Sequence, residues 1–393
     1  MKVGAVILAA GASTRFGGIK QIVPLGDKAL LQHVIDTAES STFEKVVVVL
    51  GAFFDEIGEK IKVAPTTLVI QNREWAAGQS ISVRLGVEAI DNTCDALVFL
   101  QGDQPFVTNA LIEKEMELAS SSGAEIVAPV FEGQRGTPVL FTKSCFNELK
   151  ALKGDGGGRT LFGSHHVATF DWAIDIEGMD VDTVDDYEKA QLIYNAHSHL
   201  FTIVLSAGLS LRMKQPKLLL PWGRTSVLGT VIQSFQNAGV NEIKVVTGGF
   251  GEEVAREALK FGAKSVFNPN FANGEMLDSI QTGLTSEMGT EYQAAFVALG
   301  DQPAVKSADI LEIAKCYFDT RAPLIIPSYQ MRRGHPWLVS RELWSDLLAL
   351  KNPRTMHDFI EVNREKITYQ VINNPGILQD LDTPEDYEKY KPG

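Results

Sequence analysis

The sequence contains one long pattern twice. VILAAGASTRFGGIKQIVPLG runs from Val6 to Gly26, and IVLSAGLSLRMKQPKLLLPWG runs from Ile203 to Gly223. Gly11/Gly208, Ser13/Ser210, Arg15/Arg212, Lys20/Lys217, Pro24/Pro221 and Gly26/Gly223 all keep the same spacing. The correspondence continues in order: LVIQNREWAAG with KSVFNPNFANG, ALVFLQGDQP with AAFVALGDQP, IVAPVFEGQRGTPVLF with LIIPSYQMRRGHPWLV, and DVDTVDDYEKA with DLDTPEDYEKY. Five blocks in one order mean two homologous domains, expected at 1–196 and 197–393. Their junction is expected near Asn195–His199 as a short polar link, with His197 and His199 solvated. A length of 393 residues suits two hydrophobic cores. The repeat also decides how the N terminus is read. MKVGAVILAAGAS could pass for a secretion leader, but an internal copy makes it a strand and loop that stay in the mature protein.

Composition narrows the class of partner. The chain is 45% hydrophobic and 22% charged, and runs such as KVVVVLGA (Lys45 to Ala52) are the length of buried strands. None approaches the roughly 20 apolar residues of a membrane span. A net charge of −13 argues against binding a nucleic-acid backbone, while a few local cations could still hold a small anion. Cys94, Cys145 and Cys316 form no CxxC pair and read as small buried hydrophobes. A cytoplasmic location is expected, with no membrane and no nucleic acid as partner.

Within each copy, short Val/Ile-rich runs alternate with segments of helical periodicity. In the first copy, strands are expected near Val3–Ala9, Lys45–Leu50, Thr67–Ile70, Ala96–Leu100 and Ile126–Pro129. Helices are expected near Lys28–Glu39, Ser80–Ile90 and Asn109–Ser120. Strands apolar on both faces, separated by helices, imply an α/β class with a mainly parallel sheet between helical layers. Ligands of such sheets sit beyond the carboxyl ends of the strands. Gly11 and Asp103 both follow strands and are expected on that edge.

The loop Ala9–Lys20 joins small residues to two cations, Arg15 and Lys20. Small residues let backbone N–H groups approach phosphate, and the cations add fixed positive charge. The loop matches neither GxxxxGK[ST], because Phe16 stands where glycine is required, nor GxGxxG. Asp103 and Asp301, each in a GDQP block, are suited to a hard divalent cation such as Mg²⁺ shared with phosphate oxygens. The alternative for Asp103 is a turn residue capping the next helix. Asp182 and Asp382, in Asp-x-Asp-Thr patterns, are either further metal ligands or helix starts. Together these groups suit displacement at a nucleoside triphosphate, with Lys20 and Lys217 at the α-phosphate and Arg15 and Arg212 on the departing pyrophosphate.

The ordered motifs LAAGxSTRFGGxKQ, N-x-x-W-x-x-G, GDQP, RG-x-P and DxDT resemble the molybdopterin nucleotidyltransferase family. The similarity is greatest to its molybdenum cofactor cytidylyltransferase branch, and it covers nearly the whole chain twice. The resemblance implies tandem Rossmann-like, three-layer domains of the GT-A or nucleotide-diphospho-sugar transferase type. It also implies Mg²⁺, CTP and a transfer of CMP to molybdopterin with release of pyrophosphate. A molybdoenzyme or its chaperone is a further implied partner. Nucleotide contacts implied for the first copy are Ala9, Ala10, Gly11, Asn72, Gly78 and Ser82. For the second copy they are Ser206, Ala207, Gly208, Asn268, Gly274 and Ser279. Ala10 and Ala207 match the cytidylyl branch better than the LAGG of the guanylyl branch.

The copies differ where substrate is chosen. Lys214 and Gln215 replace Gly17 and Gly18, Thr137 stands where the second copy has His335, and GDGGGR (Gly154 to Arg159), which resembles an acceptor-side segment, answers to Asn352–Thr355. Trp75 and Trp222 are either ring-stacking aromatics or core or rim aromatics. Two other functions stay open: guanylyl or other nucleotidyl transfer to a phosphorylated sugar, lipid or cofactor precursor, and one domain serving as a non-catalytic nucleotide-binding or scaffold module.

Overall fold

The structure is a computed structural model that describes residues 1–209, 213, 215–272, 275–351 and 355–392. The chain forms two compact units, Met1–Gln191 and Leu192–Gly393. The division falls inside the helix Val184–His199, so Asn195–His199 is helical rather than an irregular link. Ala190, Ile193 and Ala196 are buried at three-residue spacing, which favours helix through this stretch. Arg212 and Gly274 lie outside the described residues, as do Ser210, Lys214 and the segment 352–354.

In the first unit the central strands are Val3–Ala9, Lys45–Leu50 and Ala96–Gln101, paired in parallel. Leu68–Gln71 extends the sheet beyond Lys45–Leu50. Their side chains alternate between two cores. Ala5, Ile7, Val48 and Val98 pack with Leu31, Val34 and Ile35 of the helix Leu30–Ser40. Val6, Leu8, Val47 and Leu97 pack with Val83, Val87 and Ile90 of the helix Gln79–Ile90. The period of two along each strand thus fills both faces, giving the three-layer α/β fold expected from the apolar runs.

The sheet is not wholly parallel. Val139–Thr142 lies between Ala96–Gln101 and Ile126–Phe131 and runs antiparallel to both. A reversed strand starts at the edge where its parallel neighbours end. Thr137 is therefore delivered to the edge that carries Asp103, and its hydroxyl donates to Gln104 Oε1 at 2.9 Å.

The second unit repeats this order. Leu200–Ser206 lies between Ile243–Thr247 and Ala294–Leu299, and Trp337–Ser340 is its antiparallel member. Cys94 and Cys145 are buried as expected, and Cys316 is half-buried. Among the described residues, no helix is long and apolar enough to cross a membrane.

Candidate active site

The loop after Val3–Ala9 opens into a cleft of about 470 Å³ at the carboxyl edge of the sheet. Ala9, Ala10, Gly11, Arg15, Lys20, Gly78, Ser82, Asp103 and Asp182 all line it. Residues far apart in sequence therefore converge on one edge, as strand order alone predicts.

Lys20 sits at the centre, in the short 3₁₀ turn Lys20–Ile22, and is buried. Its Nζ lies 2.6 Å from Asp103 Oδ2 and 2.8 Å from Asp182 Oδ1. Arg15 reaches the other oxygen of Asp182 at 2.8 Å from an exposed position. Burial works against the Lys20 ammonium, but the two carboxylates outweigh it and hold its pKa above the ordinary lysine value. Neighbouring Asp180 is pushed up to about 6, first by burial and then by the charge of Asp103, although Gln104 donates to it at 2.9 Å.

Asp103 and Asp182 come from different segments, yet both aim a carboxylate oxygen at the Lys20 ammonium. Two hard oxygen donors sharing one cation position fit a divalent metal completed by phosphate oxygens and water. No cluster of three His, Cys, Asp or Glu residues able to hold a metal occurs among the described residues.

Several predicted residues act through their neighbours. Asn72 is buried; its amide donates to Ser82 Oγ at 2.9 Å, and its carbonyl accepts from the Glu74 N–H. Asn72 thereby fixes the turn that leads to Trp75, which lines the cleft half-exposed. Gly78 has φ of 113°, and a Cβ there would stand 2.3 Å from the Gly154 backbone. Only glycine lets the start of the helix Gln79–Ile90 approach the Gly154 turn so closely.

Sequence reasoning placed Gln21 in the motif beside Lys20 but gave it no role. Its side chain is buried beside Lys20 and donates to Gly11 O at 2.9 Å and Ala9 O at 3.4 Å, while accepting from Ser13 Oγ at 3.1 Å. The sequence signals were its place in the KQ pair of the LAAGxSTRFGGxKQ pattern and a polar residue at the start of an otherwise apolar run, Gln21-Ile22-Val23. A second chamber of about 650 Å³ shares Arg15, Asp103 and Asp182 with the cleft. Phe99, Phe141 and the glycine-rich turn Gly156–Arg159 complete its wall.

The second unit repeats the central pair. Lys217 binds Asp301, lies 3.2 Å from Asp382, and has a pKa raised by these carboxylates against the opposing effect of burial. Asn268 donates to Ser279 at 3.0 Å, as Asn72 does to Ser82. A smaller cleft of about 270 Å³ is lined by Ala207, Gly208, Asn268, Phe271 and Ser279. Ser206 is buried and is not among its lining residues. His335 stacks on Trp337 at 4.4 Å, and burial drops its pKa to about 4, so its ring is neutral at pH 7. Trp222 packs against Tyr387 and is not among the residues lining this cleft.

The family described as "MobA-like NTP transferase domain" matches residues 5–169 and again residues 202–367. The chain belongs to this family, in tandem. Its two domains are nucleotidyltransferase domains of the MobA-like and cytidylyltransferase superfamily. Among curated relatives, molybdenum cofactor cytidylyltransferase of Escherichia coli (strain K12) is 31% identical over 187 residues, covering 47% of this chain and 92% of the relative. Purine catabolism protein PucB of Bacillus subtilis (strain 168) is 32% identical over 198 residues, covering 47% and 94%. A solved structure, a Mycobacterium tuberculosis rv0371c homologue from Mycobacterium sp. strain JC1, is 31% identical. It covers 49% of this chain and 98% of its own, with a TM-score of 0.44.

Proposed function

We propose that the first-domain cleft transfers CMP from CTP to the phosphate of molybdopterin and releases pyrophosphate. The observation that carries this reading is the Lys20 ammonium, buried between Asp103 and Asp182 and beside the Ala9–Ser13 loop. It joins a phosphate cradle, a cation and a metal-competent carboxylate pair at one point. The likeness to a named molybdenum cofactor cytidylyltransferase supports the choice of base and acceptor.

In this reaction an acceptor phosphate oxygen forms a bond to the α-phosphorus. The bond from that phosphorus to the bridging oxygen breaks, and the electron pair leaves with pyrophosphate. The acceptor oxygen is already ionised near neutral pH, so no general base is required. The chain's task is positioning and charge neutralisation. The loop N–H groups hold the triphosphate, Lys20 offsets charge on the α-phosphate, and Arg15 holds the departing pyrophosphate. Asp103 and Asp182 would hold Mg²⁺, which when bound supplies Lewis-acid neutralisation of the triphosphate oxygens. The adjoining chamber with Phe99, Phe141 and Gly156–Arg159 offers an apolar wall and a polar turn for an extended anionic acceptor. The second domain repeats the cation and carboxylate pair in Lys217, Asp301 and Asp382.

The test is a competition among CTP, GTP, ATP and UTP for molybdopterin, read by mass of the product. Preferential formation of the CMP adduct supports the reading. A preference for GTP overturns the cytidylyl assignment, and transfer only to a phosphorylated sugar overturns the acceptor.

A further inference from the structure

We infer that Gln21 is the residue that presets the triphosphate loop of the first domain, a tie that Leu218, at the corresponding position of the second domain, has no polar side-chain atom to make. The inference rests on reading this cleft as a nucleoside triphosphate site.

The geometry fixes three successive peptide groups. Gln21 Nε2 takes the carbonyls of Ala9 and Gly11, while the Ala10 carbonyl accepts from the Ala52 N–H at 3.1 Å. In a planar trans peptide the N–H points opposite to the C=O. Drawing the Ala9 and Gly11 carbonyls to Gln21 therefore turns the Ala10 and Ala12 N–H groups away from it. Pinning the Ala10 carbonyl sets the Gly11 N–H in the same way. Ser13 completes the tie, with its hydroxyl on Gln21 Oε1 and its backbone at φ of 52°. That left-handed conformation costs a non-glycine residue free energy unless its surroundings hold it.

Gln21 is also the chain neighbour of Lys20 within one 3₁₀ turn. A single buried amide thus sets the loop N–H groups and the Lys20 ammonium at a fixed separation before any ligand arrives. Both ends of the amide serve this purpose: Nε2 donates to two carbonyls, and Oε1 accepts from the Ser13 hydroxyl. Its counterpart, one residue after Lys217, is Leu218, also buried and without a polar atom in its side chain.

The interaction is made to the loop and not to the reacting atoms, so it should support ground and transition states alike. Its loss then raises KM with little effect on kcat. The full chain is assayed with CTP and molybdopterin as wild type, Gln21→Leu, Gln21→Glu and Ser13→Ala, alongside equilibrium binding of CTP. Gln21→Leu is expected to raise KM and the CTP Kd by about tenfold, with kcat changed less than about threefold. Gln21→Glu keeps the shape and the Ser13 contact but loses both donors, so it should behave like Gln21→Leu. Ser13→Ala should show a smaller rise of about threefold. Partial unfolding would do the reverse, lowering apparent kcat at constant KM. Unchanged KM in both Gln21 variants overturns the inference while leaving the proposed function intact. A wild type that binds no CTP overturns the proposed function, and the inference falls with it.

Discussion

The ammonium of Lys20 lies 2.6 Å from the carboxylate of Asp103, and Lys217 is paired with Asp301 in the same way in the second domain. Each lysine also reaches a second carboxylate, Asp182 or Asp382. An internal cation therefore occupies the point on which both oxygen donors converge. Unit charges at about 4 Å interact by about 4 kcal/mol at an effective dielectric of about 20, enough to weaken a competing cation strongly. In the nucleotide-free protein, Lys20→Gln should tighten Mn²⁺ binding by more than about tenfold. Paramagnetic resonance of free Mn²⁺ measures this directly, and weaker binding in the variant would count against a shared cation position.

Asp103 is expected to matter through its charge rather than its shape. Asp103→Asn keeps the volume and removes the anion. Pyrophosphate release by the first domain should fall by about 10²–10³, the usual cost of one preorganised electrostatic contact. Calorimetric melting should show the fold intact. Activity within threefold of wild type would exclude a metal or lysine-orienting role.

Glu115 presents a different case. It is fully buried in the helix Asn109–Ser122, neither carboxylate oxygen has a hydrogen-bond partner, and burial raises its pKa well above the ordinary value. The corresponding position in the second domain is Ile313. A raised folded-state pKa means full stability below the unfolded value of about 4.5, lost as pH rises toward the folded value. Glu115→Ile should therefore stabilise the protein by about 1–3 kcal/mol at neutral pH, with the gain shrinking toward pH 4. Denaturant melts at pH 4.5 and 7.5 give the comparison, and a pH-independent difference would contradict it.

Gly78 tests the route from fold to site. With φ of 113° and no room for a Cβ against Gly154, Gly78→Ala must shift the turn that carries Trp75 and the start of the helix Gln79–Ile90. A loss of about 2 kcal/mol or more is expected from the backbone alone. The KM for nucleotide should rise with it, which a melt and a kinetic titration on the same sample would show.

Much of this was legible because repetition in sequence exposes what a single copy hides. The central strands and the helices Leu30–Ser40 and Gln79–Ile90 follow from periodicity, which reports burial directly. Lys20 and Asp103 could be placed together because both follow parallel strands. The antiparallel strand Val139–Thr142 was not legible: four residues give too little alternation, and its direction depends on a partner chosen in space. Gln21 stood in the motif without a role because two of its partners are backbone carbonyls, which leave no mark on sequence. Asn195–His199 looked like a linker because its polar residues masked the buried stripe of Ala190, Ile193 and Ala196.

The central claim is nucleotidyl transfer at the first-domain cleft. The most direct test incubates the full chain with α-labelled CTP, Mg²⁺ and molybdopterin, then counts products. The account predicts one pyrophosphate released for each labelled CMP joined to molybdopterin, with both falling together in Lys20→Ala. Release of inorganic phosphate without labelled molybdopterin, or equal transfer in Lys20→Ala, would contradict it.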